Sequence, residues 1–225
     1  MATKLVSVPG IGTVRIMKRR DQRSLRVSIQ GERVTITQPT WLPYAAGEQY
    51  LASKLEWITQ HRQQPVLFSQ GQRIGNHHRI HYVRGSYIAS RVSEQAIRIT
   101  IPPDLYIESE QVQAETKKAI IRALRSEAEQ YLPIRTRQLS QKYGFTYSSV
   151  SVKLLKRRWG SCTSKGDIVF NLHLMELEDH QIDYVILHEL THTQHMNHSP
   201  AFWARMEEIL PDARAIAKTL RHYAL

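Results

Sequence analysis

The sequence holds one cysteine, Cys162, in 225 residues. That excludes an internal disulfide framework and suits a reducing compartment. Long apolar runs are missing too: nothing approaches the roughly 18 residues of a membrane span. The opening, Met1 to Val8, has no signal-peptide apolar region before Pro9 and Gly10. A soluble, cytoplasmic chain without a membrane partner is expected. Acidic residues are in short supply, 20 against 31 Lys+Arg, which leaves a net charge of +11. With 41% hydrophobic and 23% charged residues, the composition is that of a globular protein and excludes disordered and fibrous classes. The length suits one or two domains with a real core.

The basic excess is spread over the chain, net +7 in residues 1–110 and net +4 in 111–225. Two clusters stand out. One is Lys18, Arg19, Arg20, Arg23 and Arg26, and the other is Lys153, Lys156, Arg157 and Arg158. Such fields attract polyanions, including nucleic acid and nucleotide phosphates, yet no nucleic-acid module signature accompanies them.

Alternation and turn residues predict strands at Thr13–Met17, Leu25–Ile29 and Val34–Thr37, with a hairpin turn at Gln30-Gly31-Glu32-Arg33. Leu51, Leu55 and Ile58 have helical spacing within a segment from Tyr44 to His61. A second strand-rich stretch runs from Arg73 to Ile101, and Pro102-Pro103 ends it. Beyond it the pattern turns helical from Glu110 to Tyr131. Pro133 is expected to end or kink that helix, and Gly144 to cap a shorter one. Strands at Ser149–Leu155 and Ile168–Asn171 come next, then helices over Glu178–Met196, Pro200–Ile209 and Asp212–Tyr223. No internal repeat is visible. The reading is an α+β chain: a β-rich N-terminal domain with one helix over 1–108, and an α+β domain over 109–225.

His188-Glu189-Leu190-Thr191-His192 is an H-E-x-x-H motif. At about 100° per residue the two histidines lie on one helical face, a turn apart. Two imidazoles so placed can bind one zinc ion. Glu189 flanks the metal and can serve as general base toward a zinc-activated water. Composition alone would produce roughly 0.03 such matches in a chain of this length. The helix is apolar around much of its girth (Ile182, Val185, Ile186, Leu187, Leu190), so buried imidazoles there need a partner.

Zinc needs a third ligand and one open position. His198 follows Asn197 and precedes Ser199-Pro200, a helix-stop and helix-start pair that can fold it back. His195 shares the ligand face but lies about 10.5 Å along the rise. Glu207 and Glu208 on the next helix are the other candidates.

The run from His188 through His192 and His198 to Phe202-Trp203 resembles the signature of the YgjP-like metal-dependent hydrolases, relatives of the SprT-like and WLM metalloproteases of the zincin group. Arg158-Trp159-Gly160-Ser161-Cys162, Phe170-Asn171, Arg23 to Val27 and Ser53 to Ile58 match other parts of that pattern. His173 departs from it, standing where an arginine is common. The resemblance implies a zincin-like catalytic domain and His198 as third zinc ligand. It implies a strand before the metal helix that pairs with an extended substrate. Ile168–Asn171 is the candidate, with Asn171 as a cleft residue. Arg158, Trp159, Gly160 and Ser161 are candidates for substrate contact. The expected function is a zinc-dependent peptidase acting on peptide or protein. The likeness also implies two alternatives: pyrophosphate cleavage in a nucleoside triphosphate such as UTP, for which the basic run before Trp159 is suited, and action on protein–DNA crosslinks with the basic first domain on nucleic acid. Cys162 has no nearby base and reads as a packing residue.

Overall fold

Alternation of buried with more exposed residues builds the centre of the first sheet: Val14 and Ile16 point inward around Arg15, and Val34 and Ile36 around half-buried Thr35. The structure is a computed structural model that describes residues 3–30, 33–61, 67–221 and 223. Strands β1 (Thr3–Val8), β2 (Gly12–Arg19), β3 (Arg26–Gln30) and β4 (Arg33–Pro39) pair in the order β1-β2-β4-β3. β1–β2 and β3–β4 are antiparallel, and β2–β4 is parallel. The hairpin residues Gly31 and Glu32 lie outside the described residues, although Gln30 and Arg33 pair as the turn requires. Helices α1 (Tyr44–Ser53) and α2 (Leu55–His61) divide the single helical segment expected there. Leu51 and Ile58 complete this sheet's core. Buried Gln38 donates to the carbonyls of Leu42 and Pro43, at 3.0 and 3.1 Å, and so fixes the turn into α1.

The chain divides into two units, Met1–Val66 and Leu67–Leu225. The boundary expected near residue 108 therefore falls inside the second unit. The reason is packing: Ile80, Ile97 and Ile99 share one buried cluster with Ala119, Ala123 and Leu124. The second strand-rich stretch thus belongs to the C-terminal unit. Its strands β5 (Arg73–Ile74), β6 (His78–Arg84), β7 (Ala89–Val92) and β8 (Ala96–Ile101) pair in the order β5-β6-β8-β7, with β6–β8 parallel.

Helix α3 (Glu110–Tyr143) runs unbroken for 34 residues through Pro133. Proline removes one helical hydrogen bond. Here Ala128, Leu132, Thr136 and Leu139 stay buried on both sides of it, so packing holds the helix together. Gly144 stops it in the left-handed conformation, φ 72°, as expected. The next sheet has three strands: β9 (Ser149–Lys153), β10 (Gly160–Cys162) and β11 (Asp167–Asn171), in the order β10-β11-β9. A 3-10 turn over Leu172–Glu176 leads to α4 (Asp179–Thr191), α5 (Pro200–Ile209) and α6 (Ala213–Leu220). Arg135 of α3 grips Asp183 of α4 with two hydrogen bonds of 2.7 and 2.5 Å. The architecture is mixed α+β, with β-rich N-terminal sheets followed by helices. Among the described residues, no helix is long and apolar enough to cross a membrane.

Candidate metal centre

Helix α4 is nearly all buried, and its sequence explains its ends. Glu178 and Gln181 form a reciprocal capping box at the start. The helix stops at Thr191 with His192 as its cap, short of the expected end at Met196. The early stop frees the corner: Ser199 caps α5, accepting from the Phe202 N–H, with Pro200 in its first turn. Between these two caps the chain turns back and brings His198 to His188.

The Nε2 atoms of His192 and His198 lie 3.2 and 3.0 Å from His188 Nε2. Ligand atoms of all three residues fall within 4.8 Å of one another. Tetrahedral zinc with bonds of about 2.0–2.1 Å sets its ligands about 3.3 Å apart, so the spacing fits one ion. Burial, then the neighbouring His192 and His198, push His188 down to about 3. Burial also lowers His192, against the hydrogen bond from its ring to the His195 carbonyl. Both rings are thus neutral imidazoles at neutral pH, the form that binds metal. With Nε2 turned inward, Nδ1 of His192 donates to the His195 carbonyl at 3.0 Å, and Nδ1 of His188 faces the Tyr184 hydroxyl at 3.3 Å. Such outer bonds fix a ligand's tautomer and orientation. The Phe202 ring, fully buried, lies 4.7 to 4.9 Å from all three imidazole centroids.

Glu189 stands beside this cluster. It is buried, and its Oε2 has no hydrogen-bond partner among the described residues. Burial pushes its carboxyl up to about 8, opposed by the charge of Arg158. Gly160 of β10 makes room for it, since a Cβ there would sit 2.7 Å from Glu189 Oε1. The missing side chain thus serves the carboxylate.

A cavity of about 720 Å³ opens on these groups, lined by His188, Glu189 and His198 with Arg158, Trp159 and Gly160. Ser161 and Asn171 are not among its lining residues. The Asn171 side chain is fully buried and donates to the carbonyls of Leu155 and Arg158 at 2.9 and 3.0 Å, so it braces a loop instead of facing a cleft. The strand carrying it, β11, lies between β10 and β9 and offers no free edge. The edges are β10 and β9, and β10 carries Gly160 of the cavity lining. Trp159 and Thr163 bond to β11. By antiparallel alternation the main-chain groups of Gly160 and Cys162 face away from β11.

Other candidates sit elsewhere. Glu207 pairs with Arg214 at 2.6 Å and Glu208 with Arg205 at 2.8 Å. His173 pairs with Glu176 at 2.6 Å. Burial first, then Glu189 and Asp167, push the Cys162 thiol up to about 11, which disfavours its thiolate. Tyr184, Arg221 and Tyr223 also line the cavity, and the sequence reading did not single them out. Tyr184 is four residues before His188, one helical turn away, and that spacing is a readable signal.

Three converging imidazoles beside a buried carboxylate, on an α+β frame, define a metal-dependent hydrolase. The family model of the YgjP-like metallopeptidase domain matches residues 23–223, and the chain belongs to that family. No curated protein shows a significant match. Among the solved structures that resemble part of the chain are two metallopeptidase zymogens. The metallopeptidase zymogen abylysin of Pyrococcus abyssi is 23% identical with a TM-score of 0.36, covering 39% of this chain and 90% of its own. The metallopeptidase zymogen jannalysin of Methanocaldococcus jannaschii is 18% identical with a TM-score of 0.35, covering 39% and 91%.

Proposed function

We propose that the chain is a zinc-dependent peptidase of the zincin type in which His188, His192 and His198 hold the ion and Glu189 is the general base. The observation that carries this reading is the juxtaposition of three inward Nε2 atoms with a buried carboxylate oxygen that has no partner among the described residues. Zinc, when bound, supplies Lewis acidity that polarises a carbonyl and makes water nucleophilic near neutral pH. Glu189 takes the proton from the attacking water and returns it to the leaving amine. Tyr184 and the His195 carbonyl hold two of the rings in orientation. The outward main-chain groups of Gly160 and Cys162 offer an extended substrate a strand to pair with.

Glu189→Gln is the test. The variant keeps its metal and loses hydrolysis of an unfolded protein such as casein by about 10²-fold or more. A variant that still cleaves at the wild-type rate removes Glu189 from the base role. A second reading, nucleoside triphosphate cleavage, draws on the basic residues at the cavity. Phosphate release from UTP without peptide cleavage would favour it.

A further inference from the structure

Lys156, Arg157, Arg158 and Arg221 line the cavity beside the imidazoles. Among the described residues the one carboxylate in that lining is Glu189, which is itself buried. None of the four cations has an ion pair or a side-chain hydrogen bond among the described residues. Three other arginines of the same unit are matched: Arg135 with Asp183, Arg205 with Glu208, Arg214 with Glu207. The cavity lining thus carries an excess of positive charge.

The three loop cations do not sit on a loose segment. Buried Asn171 holds the carbonyls of Leu155 and Arg158, and its Oδ1 lies 3.4 Å from the Leu155 N–H. Both ends of the loop 155–158 are therefore tied to β11. Arg221 comes from a different element, the cap of α6. Four like charges on one wall repel one another, and a neutral peptide offers nothing in return. An anionic group does, and arginine forks pair well with a planar carboxylate. The main-chain groups of Gly160 and Cys162 that face away from β11 suit an extended peptide as its carrier.

We propose that this wall recognises a carboxylate of the peptide substrate, with Arg157, Arg158 and Arg221 as specificity-determining residues. The inference rests on the peptidase reading above. The carboxylate is either an acidic side chain beside the scissile bond or the free C-terminus of a short peptide.

The test uses the full chain loaded with zinc and four fluorogenic peptides of one sequence. They carry Gln or Glu beside the scissile bond, each with an amidated or a free C-terminus. A carboxylate should raise kcat/KM about 10-fold over the neutral amide, and the gain should shrink as salt rises. Gain from Glu alone assigns the wall to a side chain; gain from the free terminus alone assigns it to a C-terminal carboxylate. Arg157→Glu with Arg221→Glu should reverse the order and favour a Lys-bearing peptide, a change that mere loss of structure would not produce. Equal rates for all four peptides overturn the inference and leave the peptidase reading standing. If no peptide is cleaved, the peptidase reading falls, and binding of the same peptides to zinc-loaded Glu189→Gln protein decides the wall. Tighter binding of the acidic peptides supports it, and equal binding overturns it. Displacement by UTP with no ranking among the peptides would also overturn it, by assigning the wall to phosphate.

Discussion

The two four-stranded sheets share one plan and differ in what covers them. In each, an antiparallel hairpin joins a second antiparallel pair through parallel inner strands. The registers correspond: Val27, Ile36 and Ile16 form a row across the first sheet, as Val92, Ile97 and Ile80 do across the second. The first sheet closes on a small core of its own with α1 and α2. The second shares its core with α3 and with the helix that carries the imidazoles. Their polar anchors differ accordingly. Gln38 makes neutral bonds to a neighbouring turn. Glu127, on α3, accepts from the N–H groups of Asn76 and His77 and from the His78 ring at 2.5 Å, with the carboxylate and that ring both buried. The same strand order can thus serve as a self-contained module or as the footing of a reactive site, depending on whether its anchor lies within the sheet's own turn or on a distant helix.

Removing the two anchors sharpens that contrast. Glu127→Ala leaves two backbone N–H groups and a buried imidazole without their acceptor, and should cost about 3–5 kcal/mol. Gly75 amplifies the dependence, because it holds φ +57° and a Cβ there would lie 2.5 Å from Glu127 Oε2. Gln38→Ala should cost only about 1 kcal/mol. Tryptophan reports each unit separately: Trp41 and Trp57 in the first, Trp159 and Trp203 in the second. Urea titrations of single-tryptophan variants should show each loss confined to its own unit. Equal shifts in both would break the comparison.

The second unit also carries a built-in penalty at its buried carboxyl. The Glu189 carboxyl is raised in the folded chain, so the folded state holds its proton more tightly than the unfolded state. In metal-free protein this contribution favours folding below the usual carboxylate range and is lost as pH rises to about 8. Glu189→Gln should therefore match wild-type stability at about pH 4 and exceed it by about 2–4 kcal/mol at about pH 8.5, measured by urea unfolding in chelator. The lowered His188 contributes equally to both proteins and cancels. No difference at the higher pH would mean that the carboxylate is better solvated than its burial indicates.

Much of this was legible from residues. The H-E-x-x-H spacing placed two imidazoles on one face, and Asn197, Ser199 and Pro200 marked the corner that returns His198. The strands came from alternation and the α3 stop from Gly144. What stayed hidden depended on tertiary pairing. β1 is mostly exposed, so its apolar residues carry little pattern. β10 is three residues long and has no alternation to read. Without it, β11 looked like an edge, and Asn171 like a cleft residue. The domain boundary failed because a composition shift at Pro102-Pro103 marks a change of secondary structure, and the core crosses it. The shared plan of the two sheets is written in strand order, which no residue repeat records.

Metal content tests the central claim most directly. Purified wild-type protein should contain one zinc-like divalent ion per chain by elemental analysis, and His198→Ala, prepared in parallel, should lose it while remaining folded by circular dichroism. Wild-type protein that takes up no divalent ion, or a His198→Ala variant with undiminished metal, would contradict the account.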